Sequence, residues 1–179
     1  LCTIRQILEQ TLPETCHFAT LSGPTFAFEV AREVPSAIVA AAKTNIQAER
    51  IKKIFSCPYL KVFTSTDPIG VELGGALKNV IAIATGISDG LQVGHNARAA
   101  LITRGLVEMT RIGTALGARA ETFSGLSGLG DLILTCTGEL SRNRKVGLRI
   151  GQGEKIGTIT KSMNLIAEGV LTVKSAYAL

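Results

Sequence analysis

Lys78 is the first residue whose type and setting suggest chemistry. It lies in residues 74–79 (GGALKN), inside the most apolar stretch that the sequence predicts to be a helix. A charged ammonium in such a helix is costly unless it is paired. Burial disfavours the charged amine, and a lysine tuned toward neutrality can exchange a proton with a substrate hydroxyl or carbonyl. The alternative is a lysine that extends along the helix to solvent, and the neighbouring Asn79 adds little by itself.

A cluster of cations opens a second predicted helix. Residues 141–145 (SRNRK) begin with Ser141, a good N-cap, and place three basic side chains in the first turn. Because the N-terminal end of a helix already carries partial positive charge, this arrangement favours a bound anion such as phosphate. Arg142 can grip phosphate oxygens through its planar guanidinium, while Ser141 and Asn143 supply neutral donors. A solvated basic face at a helix start is the alternative.

Asp131 follows a glycine-dense segment, residues 125–131 (GLSGLGD). The segment does not match a dinucleotide-binding loop, because the order of its glycines differs, no strand precedes it and no βαβ unit surrounds it. The glycines instead predict a close approach of backbones. Asp131 is well placed to begin the next helix, where a carboxylate favours the helix dipole. One interpretation is therefore helix capping, and the other is that Asp131 accepts a hydrogen bond from a substrate hydroxyl or orients Lys78.

Residues 21–27 (LSGPTFA) predict a strand that ends in a tight turn and leads into a helix. Ligands of α/β sheets bind at such strand ends, but glycine and proline favour any such turn, so the spacing alone is a weak signal. Metal chemistry has no support in the sequence. The two histidines, His17 and His95, lack a carboxylate or cysteine at ligand spacing, and the four cysteines form no C-x-x-C pair. We expect no metal site.

Composition limits the classes of function that these residues can serve. The chain has 179 residues, of which 46% are hydrophobic and 18% charged, as is typical of a folded globular protein. Its net charge of +5 is spread along the chain and aromatic residues make up only 4%, so we do not expect nucleic-acid binding. No apolar run reaches the length of a membrane span, and no signal-peptide pattern occurs. We expect a cytoplasmic protein with reduced cysteines and a small phosphorylated ligand.

The elements that must position these residues fall into two parts. Up to residue 64 the sequence predicts helices over 4–12 and 46–56, and strands over 18–21, 37–41 and 60–64. Such alternation is typical of an α/β sheet. Three strands are few for a sheet that must be covered on both faces, so we expect further strands upstream of Leu1.

From residue 65 onward the strand pattern gives way to helices. We predict helices over 70–87, 97–116, 120–126, 130–136 and 142–150, and a final one from Glu168 that still runs at Leu179. The 70–87 helix is apolar on almost every side in its second half, which predicts burial all round. We therefore place a domain boundary near residue 65, which divides the chain into 1–64 and 65–179. We also expect the chain to end inside its second domain.

Taken in order, these segments resemble the bacterial NAD(P)-dependent glycerol-3-phosphate dehydrogenases. The resemblance spans nearly the whole chain and rests on residues 21–27, 70–80, 96–101, 128–132, 140–144 and 167–170. The GALKN and SRNR runs at their separation are highly specific, whereas the Gly-Pro turn alone is not. The resemblance implies the end of a Rossmann-type sheet, followed by an all-helical substrate domain of the 6-phosphogluconate-dehydrogenase-like type. The expected fold is mainly α with a short α/β N-terminal part.

The resemblance also implies an activity. It is hydride transfer between NAD or NADP and C2 of dihydroxyacetone phosphate or sn-glycerol 3-phosphate, which supplies phospholipid synthesis. Lys78 matches the family's proton-exchanging lysine. The positions that match substrate contacts are Gly23, Thr25, Lys78, Asp131, Ser141, Arg142 and Asn143. Those that match cofactor contacts are Ala27, Arg142, Ile166 and Glu168. Thr25 stands where bacterial members usually have serine, a mild departure because the hydroxyl is kept.

The largest departure from the family concerns the cofactor. The family's Gly-rich phosphate loop, and a second lysine shared by cofactor and substrate, do not occur in the sequence, and the resemblance places both upstream of Leu1. We therefore expect the isolated chain neither to bind NAD(P)H tightly nor to turn over. The choice between NADH and NADPH stays open. A homodimer is compatible with the apolar helices, but periodicity does not distinguish an interface from an interior.

Two other functions remain open on the sequence alone. A dehydrogenase of hydroxy acids or sugar acids also places a lysine beside asparagine on a buried helix, but a hydroxy acid needs no phosphate clamp such as residues 141–143. A non-catalytic helical interaction module would use the basic helix start to bind an acidic partner. In that case Lys78 would only extend to solvent.

Overall fold

The computed structural model of the chain describes residues 3–163 and 167–178. Its first third is an α/β segment of helices and strands. In chain order these are α1 (Ile4–Thr11), β1 (Ala19–Ser22), α2 (Ala27–Ala31), β2 (Ser36–Ala42), α3 (Asn45–Phe55) and β3 (Leu60–Ser65). The strands predicted over 18–21, 37–41 and 60–64 are thus confirmed to within one residue at each end.

The strands form a single sheet in the order β1-β2-β3. β1 runs antiparallel to β2, with Leu21 opposite Ala40. β3 runs parallel to β2, with Val62 opposite Ile38. The chain crosses from β2 to β3 through α3, which is the connection that parallel strands require. β2 is therefore the central strand, and its second half is buried on both faces.

The two faces of β2 bury different partners, because successive side chains of a strand point to opposite sides. One face packs on α3 in a cluster formed by Ile38, Ala40, Val62, Leu60 and Ile51. The other face packs on the helical remainder of the chain in a cluster formed by Val39, Ala41, Val71 and Leu126. The sheet is thus joined to the helices by apolar contacts, and the turn after β1 is held beside them.

The rest of the described chain is helical. It comprises α4 (Pro68–Gly90), α5 (His95–Ala115), α6 (Ala120–Phe123), a π-helical turn (Leu126–Gly130), α7 (Asp131–Thr137), α8 (Arg142–Gly151), α9 (Ile156–Ser162) and α10 (Glu168–Tyr177). α4 is the central element, and α5, α7, α8 and α10 all pack against it. The buried helix predicted over 70–87 is therefore present, and it extends further at both ends.

Asp67 begins α4 and ties it to α6. Its Oδ1 accepts a hydrogen bond from the Gly70 amide at 2.9 Å, which satisfies a first-turn amide without a helical partner, and Pro68 follows in a position that suits its fixed φ. Its Oδ2 accepts from the Arg119 amide at 2.9 Å and from the Thr122 hydroxyl at 2.6 Å. Both oxygens of this buried carboxylate are satisfied, so the start of α4 is held against the segment that leads to α7.

Glycines allow α4 and α8 to approach closely. A Cβ on Gly86 would lie 2.1 Å from the Arg144 carbonyl oxygen, and one on Gly147 would lie 2.0 Å from the Ile83 carbonyl oxygen. No real side chain tolerates such distances, so only glycine permits this helix crossing. The crossing brings the start of α8 next to the middle of α4.

The helical part differs from prediction in three places. α10, which was predicted to run on to the end of the chain, ends at Tyr177. Residues 120–126 do not form one helix, because α6 ends at Phe123 and the π-helical turn follows. α9 was not predicted at all.

α4 is long and apolar enough to cross a membrane by length and composition, although we expected no membrane span. More than half of its most apolar window is buried by the surrounding protein. The core helices of soluble proteins share this property.

Candidate active site

A cavity of about 230 Å³ lies where the β1–α2 turn, α4, α7, α8 and the start of α10 meet. Seven of the predicted site residues line it: Thr25, Lys78, Asp131, Ser141, Arg142, Asn143 and Glu168. They come from five separate stretches of the sequence. Folding therefore gathers into one place groups whose patterns are far apart along the chain.

Lys78 and Asp131 form an ion pair in this cavity, with the Lys78 ammonium donating to Asp131 Oδ2. The Asp131 side chain is 3% exposed and the Lys78 side chain 19% exposed. Burial raises the pKa of Asp131, while the charge and the hydrogen bond of Lys78 oppose that rise. An unpaired charge would be costly at this position. Lys78 therefore binds a buried carboxylate. The alternative interpretation, in which Lys78 extends along the helix to solvent, does not apply.

Thr135 supports Asp131 from the next turn of α7. Its hydroxyl lies 2.6 Å from the Asp131 carbonyl oxygen and 3.3 Å from Asp131 Oδ1. The side-chain contact also opposes the rise in the pKa of Asp131. Thr135 lines the cavity, although we did not predict it. Residues four apart share one face of a helix, so its place follows from that of Asp131.

Glycines place the start of α7 against α4. A Cβ on Gly74 would lie 2.5 Å from the Ser127 carbonyl oxygen, and one on Gly128 would lie 2.1 Å from the Phe123 carbonyl oxygen. The glycine-dense segment thus makes the close backbone approach that its sequence predicts, and Asp131 begins the helix that follows. Gly74 is four residues before Lys78 on the same face of α4. The contact between Gly74 and Ser127 therefore places the Asp131 carboxylate close to the Lys78 ammonium.

The start of α8 presents polar groups to the cavity. Ser141 is the N-cap, as predicted, and its Oγ accepts a hydrogen bond from the Arg144 amide at 3.2 Å. Arg142 is exposed, and its guanidinium lies 3.9 Å from the Glu168 carboxylate at the start of α10. Asn143 is buried, and its side-chain amide bonds to groups of α4 and α10. A fixed hydroxyl and amide therefore stand beside an exposed guanidinium.

Two of the three cations at the start of α8 do not face the cavity. Arg144 donates from Nε to Asp89 Oδ2 at 2.9 Å, and its Nη2 lies 2.6 Å from the same oxygen. Arg98 also pairs with Asp89, at 3.2 Å. Lys145 is exposed and outside the cavity lining. We predicted that all three cations face a bound anion, but only Arg142 faces the cavity. The reason is that successive side chains of a helix point in different directions.

Two predicted residues within the described ranges, Gly23 and Ala27, are not part of the cavity lining. Gly23 is buried against β2, where a Cβ would lie 2.9 Å from the Ile38 Cα. Ala27 is exposed at the start of α2. Their substrate and cofactor contacts stay predictions. Ile166, a predicted cofactor contact, lies outside the described residues.

Other side chains complete the lining without having been predicted: Ser22, Phe26, Gly75, Asn79, Thr135 and Leu140. Most of them adjoin a predicted residue along the chain or share a helix face with one. Gly75, for example, precedes Lys78 by one turn, and Leu140 precedes the α8 cap. Helical periodicity around Lys78 and Asp131 could have found Gly75 and Thr135, and adjacency to a predicted residue along the chain could have found the other four.

A larger cavity of about 510 Å³ lies between α1 and the start of α3. Arg5, Glu9 and Lys43 line it, but none of the predicted site residues does. We place the site in the smaller cavity because only that one contains the buried ion pair and the start of α8. Within residues 3–163 and 167–178, no group of three or more His, Cys, Asp or Glu side chains is arranged to hold a metal ion.

A short sheet followed by helices around a buried central helix, with a lysine–carboxylate pair beside a polar helix start, defines a class. It is the class of dehydrogenases that join an α/β domain to a helical substrate domain. The family model described as NAD-dependent glycerol-3-phosphate dehydrogenase C-terminus matches residues 67–179, and the N-terminus model of that family matches residues 1–48. The chain belongs to the NAD-dependent glycerol-3-phosphate dehydrogenase family.

Curated proteins of similar sequence bear the same name. The glycerol-3-phosphate dehydrogenase (NAD(P)+) of Syntrophotalea carbinolica is 59% identical over 181 residues, which cover 100% of this chain and 54% of that protein. The protein of that name from Oleidesulfovibrio alaskensis is 56% identical over 180 residues, with the same coverage. The chain spans about half the length of the curated relatives it matches.

Solved structures confirm the fold. The glycerol-3-phosphate dehydrogenase from Coxiella burnetii superimposes with a TM-score of 0.88 at 44% identity, over 90% of this chain and 50% of that one. DsGPDH of Dunaliella salina superimposes with a TM-score of 0.90 at 30% identity, over 98% of this chain and 31% of that one. The expected mainly α fold with a short α/β N-terminal part is therefore confirmed, as is the resemblance on which it rested.

Proposed function

We propose that this chain carries the substrate site and catalytic lysine of an NAD(P)-dependent glycerol-3-phosphate dehydrogenase. The complete enzyme interconverts dihydroxyacetone phosphate and sn-glycerol 3-phosphate, and so supplies glycerol phosphate for phospholipid synthesis. The observation that carries the proposal is the single cavity in which the Lys78–Asp131 pair lies beside Ser141, Arg142 and Asn143. The names of the relatives support it.

Lys78 is the proton-exchanging group of this proposal. NAD(P)H, when bound, supplies the hydride for C2 of the substrate. As the carbonyl is reduced, negative charge develops on its oxygen, and the Lys78 ammonium gives that oxygen a proton; in the reverse direction the amine takes the proton back. Asp131 pairs with the ammonium and holds it in place.

The start of α8 holds the phosphate of the substrate. Arg142 offers a planar set of donors that matches phosphate oxygens. The Ser141 oxygen already accepts a hydrogen bond from the Arg144 amide, so its hydroxyl proton is available to the phosphate. Asn143 offers a side-chain N–H. Thr25 and Gly23, in the turn after β1, remain the proposed contacts on the sheet side.

The residues of this chain fit one edge of an NAD or NADP site. Arg142 and Glu168 are exposed and lie together on the cavity lining, where they can contact a cofactor that covers the cavity. Ala27 and Ile166 are proposed to contact it as well. The sequence has no Gly-rich loop between a strand and a helix to hold the pyrophosphate. Most of the dinucleotide site is thus assigned to the part of the relatives that this chain does not span.

We also propose a domain boundary near residue 65, with 1–64 as the end of the dinucleotide-binding domain and 65–179 as the substrate domain. In support, β3 ends at Ser65, α4 begins at Pro68 and the C-terminal family model starts at residue 67.

A cytoplasmic location agrees with the free thiols of Cys16, Cys57 and Cys136. A homodimer, which sedimentation would test, agrees with the exposed apolar side chains of α5.

The test uses a graft enzyme, which we define as the Syntrophotalea carbinolica relative with this chain in place of the matched 181-residue segment. The graft should oxidise NAD(P)H when dihydroxyacetone phosphate is added. Lys78→Ala should lower kcat/KM by about 10² to 10⁴-fold, the usual contribution of a positioned proton donor. The assay is run at low temperature, and circular dichroism at the same temperature is used to check that each variant is folded.

Lys145→Ala is the matched control, because Lys145 is an exposed lysine of α8 outside the cavity lining. It should leave kcat/KM within about twofold of the parent graft, as surface substitutions generally do. Unchanged turnover in Lys78→Ala would remove Lys78 from the mechanism. A folded graft that binds NAD(P)H but reduces no dihydroxyacetone phosphate would refute the proposed function.

A further inference from the structure

Two buried amides link the cavity to the start of α10. Asn79 on α4 is 6% exposed and Asn143 on α8 is 8% exposed. Asn143 Nδ2 donates to Asn79 Oδ1 at 2.9 Å, and Asn143 Oδ1 accepts the Gly169 N–H at 2.9 Å. Gly169 lies in the first turn of α10, so this bond satisfies an amide that has no partner within its own helix. Three helices therefore meet at the side chain of one asparagine.

The start of α10 can occupy this place because residue 169 is glycine. A Cβ at Gly169 would lie 2.7 Å from Asn143 Oδ1 and 2.9 Å from the Asn79 carbonyl oxygen. The preceding residue, Glu168, lines the cavity and lies 3.9 Å from the Arg142 guanidinium. We call the start of α8, where Ser141, Arg142 and Asn143 face the cavity, the anion site. The position of Glu168 beside it depends on the contact between Gly169 and Asn143.

The hydrogen bonds through these amides run in one direction. Asn79 Nδ2 donates to the Gly75 carbonyl oxygen at 3.3 Å on its own helix, which leaves Asn79 Oδ1 facing Asn143. A flipped Asn143 amide would have the same shape, but it would set oxygen against oxygen at Asn79 and nitrogen against N–H at Gly169. Hydrogen bonding, and not steric fit, therefore selects the orientation of Asn143.

This orientation decides what Asn143 offers to a ligand. A side-chain amide nitrogen carries two N–H groups, and the bond to Asn79 uses one of them. Because Asn143 also lines the cavity, the second N–H is the group that it can direct at an anion. A flipped amide would present its oxygen instead, and an oxygen repels phosphate.

We propose that Asn79 is a positioning residue: it selects the donor orientation of Asn143 and, through Asn143, holds the start of α10 beside the cavity. Asn79 acts on the ligand through Asn143. The inference rests on the proposed function only for the identity of the anion as the phosphate of the substrate.

The test measures the binding of inorganic phosphate to the graft enzyme by titration calorimetry, together with the KM for dihydroxyacetone phosphate. Asn79→Ala removes the acceptor that orients Asn143. It should weaken phosphate binding and raise KM by about tenfold, the order expected from one buried hydrogen bond, with a much smaller change in kcat. The control is Thr85→Val, at a buried residue of the same helix that does not line the cavity. It removes the hydrogen bond from the Thr85 hydroxyl to the Ala82 carbonyl oxygen. It should lower the unfolding temperature without changing KM.

A double-mutant cycle separates positioning from direct contact. If Asn79 acts through Asn143, Asn79→Ala should change phosphate affinity by less than about twofold when it is made in an Asn143→Ala background. Equal effects in the two backgrounds would mean that Asn79 contacts the anion itself and would overturn the inference. Gly169→Ala places a methyl group against Asn143 Oδ1, so it displaces the Asn143 side-chain amide without a change in α4. It should also weaken phosphate binding. It leaves α4 intact, so it tests the inference even where Asn79→Ala does not fold.

The inference and the proposed function fail separately, since phosphate binding is measured without turnover. A graft whose phosphate affinity depends on Asn79 but which reduces no dihydroxyacetone phosphate supports the inference and refutes the proposed function. A graft that reduces dihydroxyacetone phosphate, and whose phosphate affinity and KM are unchanged by Asn79→Ala and Gly169→Ala, overturns the inference alone.

Discussion

Replacing Lys78 with methionine should destabilise the protein by an amount that depends on pH. Methionine matches the length of the lysine stem but leaves the Asp131 carboxylate, 3% exposed, without its ion-pair partner. Loss of one member of a buried ion pair costs about 3–5 kcal/mol. Protonation of Asp131 limits this loss. Neutralising a carboxyl whose unfolded pKa is about 3.9 costs at most about 4 kcal/mol at pH 7, at about 1.4 kcal/mol per pH unit. We therefore expect a loss of about 3–4 kcal/mol at that pH.

The sign of the pH dependence follows from the direction of the pKa shift. Burial raises the pKa of Asp131, and Lys78 no longer opposes the rise in the variant. A carboxyl with a raised folded pKa contributes stability that is fully present below its unfolded pKa and is lost as pH rises through the folded pKa. The deficit of Lys78→Met relative to the parent should therefore shrink as pH falls from 7 toward 4.

The measurement is urea-induced unfolding of the graft enzyme, followed by circular dichroism between pH 4 and 7. The double variant Lys78→Met with Asp131→Asn removes both charges, and it should recover most of the stability at pH 7, because replacing a whole buried pair is often close to neutral. A deficit that stays constant over this pH range, or a double variant no more stable than Lys78→Met, would show that Asp131 is not the buried charge that Lys78 neutralises.

Three other predictions follow from the structure. Arg142→Ala should raise KM for dihydroxyacetone phosphate by at least about tenfold while changing that for unphosphorylated dihydroxyacetone little, because charge-assisted phosphate contacts are lost; equal effects on both would favour a hydroxy-acid dehydrogenase. Gly147→Ala, whose Cβ would lie 2.0 Å from the Ile83 carbonyl oxygen, should lower the unfolding free energy by about 1–3 kcal/mol, and an unshifted urea midpoint would contradict the helix crossing. The isolated chain should neither bind NAD(P)H tightly nor reduce dihydroxyacetone phosphate, and detectable turnover would count against it.

Prediction from the sequence succeeded where a local pattern decides the outcome. α3 begins after a Thr44 cap, and α8 begins after the Ser141 cap that its sequence indicated. α9 shows the opposite case. It has no side-chain cap, and its buried Ile159 packs with Val146 and Ala167 from elsewhere in the chain. Such a short helix is stabilised by tertiary contacts, which no local pattern records.

The same limit applied within the site. The family match and the burial of its helix pointed to Lys78, but its partner was left open between Asp131 and solvent. The sequence placed three cations at the start of α8 and named Arg142 for the phosphate, but it gave no sign that Arg144 binds Asp89 while Arg142 stays at the cavity. Asn79 offered no signal on its own, because its role depends on the amide of Asn143.

The sequence by itself thus determined the family, the order of most helices and strands, and the side chains able to exchange a proton or hold a phosphate. Only the tertiary structure decided which of these side chains meet. Ion pairs and hydrogen bonds act over about 3 Å. Lys78 and Asp131 are 53 positions apart, and Asn79 and Asn143 are 64 apart. Their separation in space is set only when α4, α7 and α8 pack together through their glycines, a contact that depends on all three helices at once.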